Sequence, residues 1–239
     1  TGRSSTHLSF IEQYCRHLGL WFDPEAKPVY TKQIEIDLNT LVPSVAGPRR
    51  PQDRMDATEI VNVLSTINFV PLSHELHMPK FPVAIAAITS CTNTSDPKLL
   101  ITAGLLARKA RHLGLKPPAW VKTSLAPGSP AAATYLQRAG LLEDFAAIGF
   151  DIVGYGCTSC IGNSGPLNDS MRMAQEKAEC KAVAILSGNR NFPGRVNPEI
   201  DLSFIMSPTL VVAFGLIGDA QVDFNQDSLG TDLHGNAVF

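Results

Sequence analysis

Apolar and polar residues recur along the chain with two different periods, and these periods predict a series of helices and strands. Near the start, apolar residues recur at helical spacing and a glycine follows them: Leu8, Ile11, Cys15, Leu18 and Gly19. This pattern predicts a helix over about residues 5–18. It also predicts that Cys15 is a buried thiol on the apolar side of that helix, since free cysteine behaves as a small hydrophobe.

From Phe81 onward, short apolar runs alternate with amphipathic stretches. The apolar runs are predicted strands at 83–89, 119–124, 150–156, 181–187 and 210–214. Between them lie predicted helices, one capped by Ser95, one capped by Ser129, and one over about 166–179. Strands that alternate with helices are typical of a mostly parallel sheet covered on both faces. The predicted fold class is therefore α/β, a three-layer sandwich.

The segment between these two regions has a different composition. Pro43 to Ala57, PSVAGPRRPQDRMDA, is rich in proline, glycine and charge, which predicts a crossing between domains. We therefore expect residues 1–48 to end one domain and residues 49–239 to form the next. Arg49 and Arg50 in this segment are most simply solvated.

Composition excludes several classes of protein. Hydrophobic residues make up 44% of the 239 residues and charged residues 18%, which indicates a globular chain. The net charge of −2 gives no general attraction to nucleic acid. No apolar run approaches the roughly 20 residues that span a bilayer, and the first residues lack a secretory signal. We expect a cytoplasmic protein and, because the chain begins with Thr1, a piece of a longer one.

The cysteines supply the first candidate chemistry. Cys91 comes two residues after the first predicted strand of the sheet, and Cys157 and Cys160 follow the third. Ligands of open α/β sheets bind outside the carboxyl ends of the strands, so these three thiols are expected to meet at one edge. Cys180 precedes a strand instead, so we expect it at the opposite edge in a structural role.

The spacing of the cysteines leaves several kinds of site open. A redox Cys-x-x-Cys pair would leave the third thiol unexplained. A structural zinc site needs four ligands, and the sequence offers neither a second Cys-x-x-Cys nor two well-placed histidines. Three thiolates without a fourth match an iron–sulfur cluster that keeps one iron open to substrate. The absence of any bound group is the remaining alternative.

A second group of polar residues follows the fourth predicted strand. The segment SGNRNFPGRVNP, Ser187 to Pro198, carries Arg190 and Arg195 and is expected at the same edge of the sheet. The planar guanidinium of arginine binds a carboxylate through two hydrogen bonds, so this pair suits a di- or tricarboxylate. Two solvated loop arginines are the alternative.

Three motifs together resemble the aconitase superfamily. ITSCTNTSDP and GYGCTSCIGNSGPL are similar to its two cluster motifs, and LSGNRNFPGRV is similar to its substrate-arginine motif. The 66 positions from Cys91 to Cys157 resemble the cytosolic and bacterial aconitase A branch, which includes the iron-regulatory proteins. GPRRPQDRM and VKTSLAPGS are also similar to segments of that branch. The isopropylmalate dehydratase branch shares the cluster motifs, but its loops differ.

The resemblance implies a role for each matching residue. Cys91, Cys157 and Cys160 would bind a [4Fe–4S] cluster, and Arg190 and Arg195 would contact substrate carboxylates. Asn189 would form a hydrogen bond beside the cluster. The implied reaction, a step of the tricarboxylic acid cycle, is that of an aconitate hydratase, a carbon–oxygen lyase that interconverts citrate and isocitrate through cis-aconitate.

The resemblance also implies what this chain lacks. In the family, the catalytic base is a serine on a C-terminal swivelling domain, and further helpers come from an N-terminal domain. The chain would comprise the end of a related α/β domain and then the iron–sulfur domain, with the flanking domains as partners. We therefore expect no catalytic base within these residues and no dehydratase activity from them alone.

Two other functions share the same residues. An iron–sulfur 2-methylcitrate dehydratase of propionate metabolism would differ by room for one methyl group, and a pocket discriminates such substrates by only about 1–3 kcal/mol. An RNA-binding regulator is the alternative from another class, because some relatives bind RNA when the cluster is lost. The near-neutral charge gives that alternative no independent support.

Overall fold

The computed structural model of the chain describes residues 2–93 and 96–239. It divides into two compact units, Thr1–Leu41 and Val42–Phe239. The domain boundary expected after residue 48 falls inside the second unit, and the assignment of the two domains stays a prediction. None of the helices in the described ranges combines the length and apolarity needed to cross a lipid bilayer.

The first unit contains one α-helix, α1 (Ser5–His17), and a short 3-10 turn, Leu38–Thr40, among its described residues. Helix α1 begins where the Ser4 hydroxyl accepts a hydrogen bond from the backbone of His7. The predicted helix is thus confirmed. The predicted burial of Cys15 is wrong, because Cys15 is only partly buried and none of the side chains of α1 is fully buried.

The second unit is built on a six-stranded sheet with the order β2-β1-β6-β5-β3-β4. Strands β6, β5, β3 and β4 are parallel, whereas β1 and β2 are antiparallel to their neighbours. The strands are β1 (Ser44–Ala46), β2 (Arg54–Asp56), β3 (Val83–Ile88), β4 (Lys122–Leu125), β5 (Val183–Leu186) and β6 (Leu202–Ile205). A small separate ribbon pairs β7 (Gly230–Thr231) with β8 (Ala237–Val238).

Helices connect these strands and cover both faces of the sheet. They are α2 (Ile60–Ser65), α3 (Ser90–Asn93), α4 (Pro97–Leu113), α5 (Pro130–Arg138), α6 (Leu142–Ala147), α7 (Asp169–Glu176) and α8 (Pro208–Ile217). Short 3-10 turns lie at Ala57–Glu59 and Ser159–Ile161. Helix α4 begins at Asp96, whose side chain caps Lys98, and ends at left-handed Gly114. Ser95, the predicted cap, lies outside the described residues.

Two buried apolar clusters show why the chain forms three layers. Ala86 and Ile88 of β3 belong to the cluster that contains α4 and α8. Ala87 of the same strand belongs to the other cluster, with Met171 and Ala174 of α7. Because alternate residues of a strand point to opposite faces, each face of the sheet buries its own set of helices. The predicted α/β fold class, with a mostly parallel sheet, is confirmed.

One predicted strand is in fact a helix. Residues 210–214 lie within α8, which begins after Ser207 and ends at left-handed Gly218. The Ser207 hydroxyl accepts a hydrogen bond from Leu210, and Pro208 occupies the first turn, where its missing N–H costs nothing. The segment is apolar throughout because α8 is buried on nearly all sides.

Two other segments also differ from their predictions. The run 150–156 is mostly loop, and only Ile152 forms a β-bridge, with Leu125. Pro43–Ala57 is a hairpin of β1 and β2 rather than a linker, and β1 joins the sheet beside β6. Strand β6 was not predicted, because its four residues include a buried serine, Ser203, and so do not form an apolar run.

Candidate metal centre

Cys91 lies just beyond the carboxyl end of β3, on the short helix α3. Thr89, two residues before Cys91, is buried and forms hydrogen bonds with Ser187, the residue after β5. The Thr89 backbone N–H donates to Ser187 Oγ at 3.0 Å, and Thr89 Oγ1 donates to the Ser187 carbonyl at 2.8 Å. These bonds fix the loop after β3 against the loop after β5.

The second and third cysteines lie on what we call the cysteine loop, residues 154–166. It leaves the sheet edge where Val153 donates its backbone N–H to Leu125, and Gly156 bonds to Pro127. The 3-10 turn Ser159–Ile161 carries Cys160, and it ends at Gly162 in the left-handed conformation. A side chain at Gly162 would also crowd the Arg195 carbonyl, 3.2 Å from its Cβ. Glycine is therefore required there on two grounds.

The three thiols converge at this edge of the sheet, where their positions after the strands place them. Cys91 Sγ lies 3.8 Å from Cys157 Sγ and 3.9 Å from Cys160 Sγ. All three sulfurs lie within 4.8 Å of one another. Cys160 is 3% exposed, Cys91 is half-buried and Cys157 faces solvent. The group is thus anchored on a buried thiol and open on one side.

The surroundings shift the acidity of two thiols in opposite directions. The Ser90 hydroxyl, 3.7 Å from Cys157 Sγ, lowers the pKa of the Cys157 thiol, and the other two sulfurs and the charge of Arg190 lower it further. Burial raises the pKa of the Cys160 thiol to about 12, and its two thiol neighbours add to that effect. Three thiolates this close repel one another, so a cation is what would let all of them ionise.

The donor set suits a metal that prefers sulfur. Among the described residues, the group contains these three cysteines and no histidine or carboxylate. A sulfur separation near 3.8 Å equals that of two thiolates on one tetrahedral zinc ion at about 2.3 Å. An iron–sulfur cluster would spread the thiolates more widely, because each would bind a different iron. The wider spacing would require both the Cys91–Cys157 and the Cys91–Cys160 sulfur distances to increase from their present 3.8 and 3.9 Å.

The arginines lie on what we call the arginine loop, residues 188–197, which follows β5. Arg195 Nε donates to the Cys160 carbonyl at 3.2 Å, so this guanidinium touches the backbone of the cysteine loop. Arg190 is close enough for its charge to affect Cys157. Both arginines are exposed, and so is Asn189. Arg195 thus contacts the backbone of one cysteine of the thiol group, and the charge of Arg190 acts on another.

The cysteine loop and the arginine loop are joined by two more hydrogen bonds. Ser164 Oγ donates to the Val196 carbonyl at 2.8 Å, and Asn197 Nδ2 donates to the Gly165 carbonyl at 3.0 Å. Sequence reasoning did not predict these contacts or the contact of Ser90 with Cys157. The small polar residues within the motifs are the one sequence signal that could have indicated them. The two loops therefore form one connected surface.

The remaining cysteines are not part of this group. Cys180 lies before β5 in the apolar cluster, with its sulfur 4.0 Å from Met171 Sδ. Burial raises the pKa of its thiol to about 11. Cys15 belongs to the first unit. The arrangement at the sheet edge thus offers three sulfur ligands to a thiophilic metal, and the loop that carries both arginines lies beside it.

Comparison with known proteins identifies relatives over the whole chain. The sequence model of the Aconitase family (aconitate hydratase) matches residues 1–218. The chain is 47% identical over 253 residues to phosphinomethylmalate isomerase of Streptomyces viridochromogenes. This alignment covers 100% of this chain and 28% of that protein. It is 42% identical to aconitate hydratase A of Escherichia coli, with 100% and 28% covered, and 44% identical to that of Deinococcus radiodurans, with 100% and 29% covered. The chain thus spans less than a third of the length of these relatives.

Proposed function

The chain belongs to the aconitase family, and from that premise we propose that it is the metal-binding part of a [4Fe–4S] hydro-lyase. The reaction proposed for the whole protein is the interconversion of citrate and isocitrate through cis-aconitate. The observation that carries the proposal is the convergence of Cys91, Cys157 and Cys160 beside Arg190 and Arg195.

The three cysteines would hold the cluster. When bound, it would supply a Lewis-acidic iron that polarises the hydroxyl group of the substrate. The absence of a fourth protein ligand among the described residues is consistent with a metal position left for substrate. The donor atoms therefore fit an iron–sulfur cluster. The sulfur spacing also fits a single zinc ion, so an experiment must distinguish the two.

The arginines would bind and orient the anionic substrate. Arg195 uses Nε for the Cys160 carbonyl, which leaves its two Nη groups for a carboxylate. Through this bond, the substrate-binding guanidinium is held at a fixed place relative to a metal ligand. The charge of Arg190 lies beside Cys157, so both cations would draw a tricarboxylate toward the thiol group.

We propose that the base that removes the proton from the substrate lies outside these residues. We name no base in this chain, and we infer that the flanking parts of the full-length protein supply it. We also propose that residues 1–48 end a related α/β domain and that residues 49–239 are the iron–sulfur domain. On this proposal, the 239 residues alone have no dehydratase activity. The cytoplasmic location and RNA binding by a cluster-free form stay predictions.

The identity of the substrate has a second candidate. One relative, 47% identical, is named phosphinomethylmalate isomerase, and its name denotes a malate derivative with a phosphinomethyl group. The cysteine and arginine positions described above do not distinguish such a substrate from citrate or from 2-methylcitrate. All are anionic hydroxy acids that two guanidiniums can bind.

The experiment is a hydratase assay on the full-length protein, purified and handled without oxygen. Formation of cis-aconitate from citrate and from isocitrate is followed by ultraviolet absorbance, with 2-methylcitrate and phosphinomethylmalate as parallel substrates. We expect turnover of citrate and isocitrate. No turnover of any of these acids by protein that contains iron and sulfide would overturn the proposal.

Lysine variants test the role of the arginines in the same assay. Arg190→Lys and Arg195→Lys should each raise KM and lower kcat, because an ammonium cannot copy the two hydrogen bonds of a guanidinium. Arg138→Lys, at an exposed position at the end of α5, is the matched control and should leave both constants unchanged. Unchanged kinetics in both loop variants would favour the alternative interpretation, in which these arginines are solvated loop residues.

A further inference from the structure

Asn191 lies inside the arginine loop, next to Arg190, and its side chain faces away from the solvent. The residue is 0% exposed, whereas Asn189, Arg190 and Phe192 around it are exposed. A buried amide in an exposed loop must have partners in the protein interior, because an unpaired amide donor is costly there.

Those partners are the backbones of two neighbouring strands. Asn191 Nδ2 donates to the Ala46 carbonyl on β1 at 3.1 Å and to the Ser203 carbonyl on β6 at 2.6 Å. β1 and β6 pair through Ala46 and Ile205, so the amide bonds both strands beside that pairing. One side chain thereby connects the arginine loop to β1 and β6.

The chemistry of the partners fixes the orientation of the amide. Both partners are carbonyl oxygens, which only accept hydrogen bonds, so the NH₂ group must face them. Asn191 Oδ1 is buried and has no hydrogen-bond partner among the described residues. The two donated bonds therefore determine where the side chain and its backbone lie.

A second buried amide holds the other end of the loop. Asn197 is 3% exposed, and its Nδ2 donates to the Gly165 carbonyl of the cysteine loop at 3.0 Å. Its Oδ1 accepts a hydrogen bond from the Glu199 backbone at 2.8 Å. The loop is thus fixed to the sheet on one side of Arg195 and to the cysteine loop on the other.

We propose that Asn191 and Asn197 are positioning residues that hold Arg190 and Arg195 at the thiol group for a tricarboxylate. The proposal rests on the function proposed above. Both arginines are exposed, so their placement depends on the backbone of the loop, together with the bond of Arg195 to the Cys160 carbonyl. A loop that is already fixed loses less conformational entropy when the substrate binds, which lowers KM.

The test compares Asn191→Ala with a matched variant, Asn168→Ala, in the full-length protein. Asn168 also donates its amide to one backbone carbonyl, that of Ala119 at 3.0 Å, but it lies at the start of α7 and its amide does not bond to the described arginine loop. We expect Asn191→Ala to raise KM for isocitrate about tenfold or more, and Asn168→Ala to leave KM within about twofold. Activities are expressed per cluster, from iron content.

Hydrogen exchange provides a readout that does not depend on turnover. In Asn191→Ala, amides of residues 188–198 should exchange faster, while those of β3 keep the rate of the unsubstituted protein. Unchanged KM together with unchanged exchange in the arginine loop would overturn the proposal. If Asn191→Ala does not fold, Asn197→Ala carries the same test from the other end of the loop, with the same expected rise in KM.

The design separates this proposal from the function on which it rests. If the unsubstituted protein does not turn over any of the acids, the proposed function fails, and calorimetric titration of citrate then decides the positioning role. Weaker citrate binding by Asn191→Ala than by Asn168→Ala would support it. Equal binding by the two variants, or no binding by the unsubstituted protein, would overturn it.

Discussion

Replacing Asp144 by asparagine should destabilise the second unit substantially. Asp144 is 4% exposed and lies on α6. Its Oδ2 accepts a hydrogen bond from Arg108 Nε at 2.7 Å, and its Oδ1 accepts one from Arg111 Nη1 at 3.1 Å. This one carboxylate therefore joins α6 to α4, the helix that follows Cys91 along the chain. The asparagine variant removes the charge and directs an NH₂ group toward a guanidinium.

The size of the effect follows from the exposure of the partners. Removing one member of a fully buried ion pair costs about 3–5 kcal/mol, and an exposed pair contributes about 0–1 kcal/mol. Here the carboxylate is buried, but the side chains of Arg108 and Arg111 are 36% and 45% exposed. Arg108 also keeps its bonds to the carbonyls of Ala139 and Gly140. We therefore expect a loss of about 2 kcal/mol, between those limits.

Thermal unfolding of the chain, followed by circular dichroism, measures this loss. For a unit of this size, about 2 kcal/mol corresponds to a fall in Tm of roughly 4–8 °C. The control is Glu143→Gln, the same chemical change at the exposed neighbouring position, which should shift the free energy of unfolding by less than about 0.5 kcal/mol. A double-mutant cycle with Arg111→Gln should give a coupling of about 1 kcal/mol. A loss in Asp144→Asn no greater than that in Glu143→Gln would refute the reasoning.

Two further predictions concern other parts of the second unit. Gly47→Ala should lower the free energy of unfolding by about 1–3 kcal/mol, because its Cβ would lie 2.6 Å from the Ser203 carbonyl and 2.5 Å from Phe204 Cδ1. Urea unfolding measures this, and a cost no larger than that of Gly154→Ala, whose Cβ meets only Thr158 Cγ2 at 3.3 Å, would contradict it. Cys180, with its pKa raised to about 11, should resist alkylation by iodoacetamide at pH 8 in the folded protein, since almost none of it is thiolate. Mass spectrometry of the alkylated protein checks this, and modification of Cys180 as fast as in denatured protein would contradict it.

The fold was predictable where local pattern and tertiary packing agree. Strand β3 is a run of six apolar residues and α4 is a long amphipathic stretch with a glycine after it, and both were predicted. The run at 210–214 was misassigned because a short apolar stretch suits a buried strand and a buried helix equally. Ser207, Pro208 and Gly218 mark the ends of α8, and they would have favoured the helix.

The hairpin of β1 and β2 could not be predicted from local sequence. Its strands have three residues each, and its composition is typical of a loop. β1 is held by pairing with β6, a strand that lies far along the chain, so the information is in the tertiary structure rather than in the segment.

The candidate site was predictable in its position but not in its connections. That Cys91, Cys157 and Cys160 meet follows from parallel strands that end at one edge, and the structure brings their sulfurs together. The bonds of Asn191 to two strands, and of Asn197 to the cysteine loop, depend on how three separate segments approach one another. Spacing along the chain carries no information on such contacts.

The most direct test of the central claim is the iron and acid-labile sulfide content of the full-length protein, purified without oxygen. We predict about four iron and four sulfide per chain, retained in Cys180→Ala and lost in Cys160→Ala. The two positions are matched, since both cysteines are 3% exposed and lie in the same apolar cluster. One zinc ion without sulfide, or equal iron and sulfide in both variants, would contradict the assignment of the thiol group to a cluster.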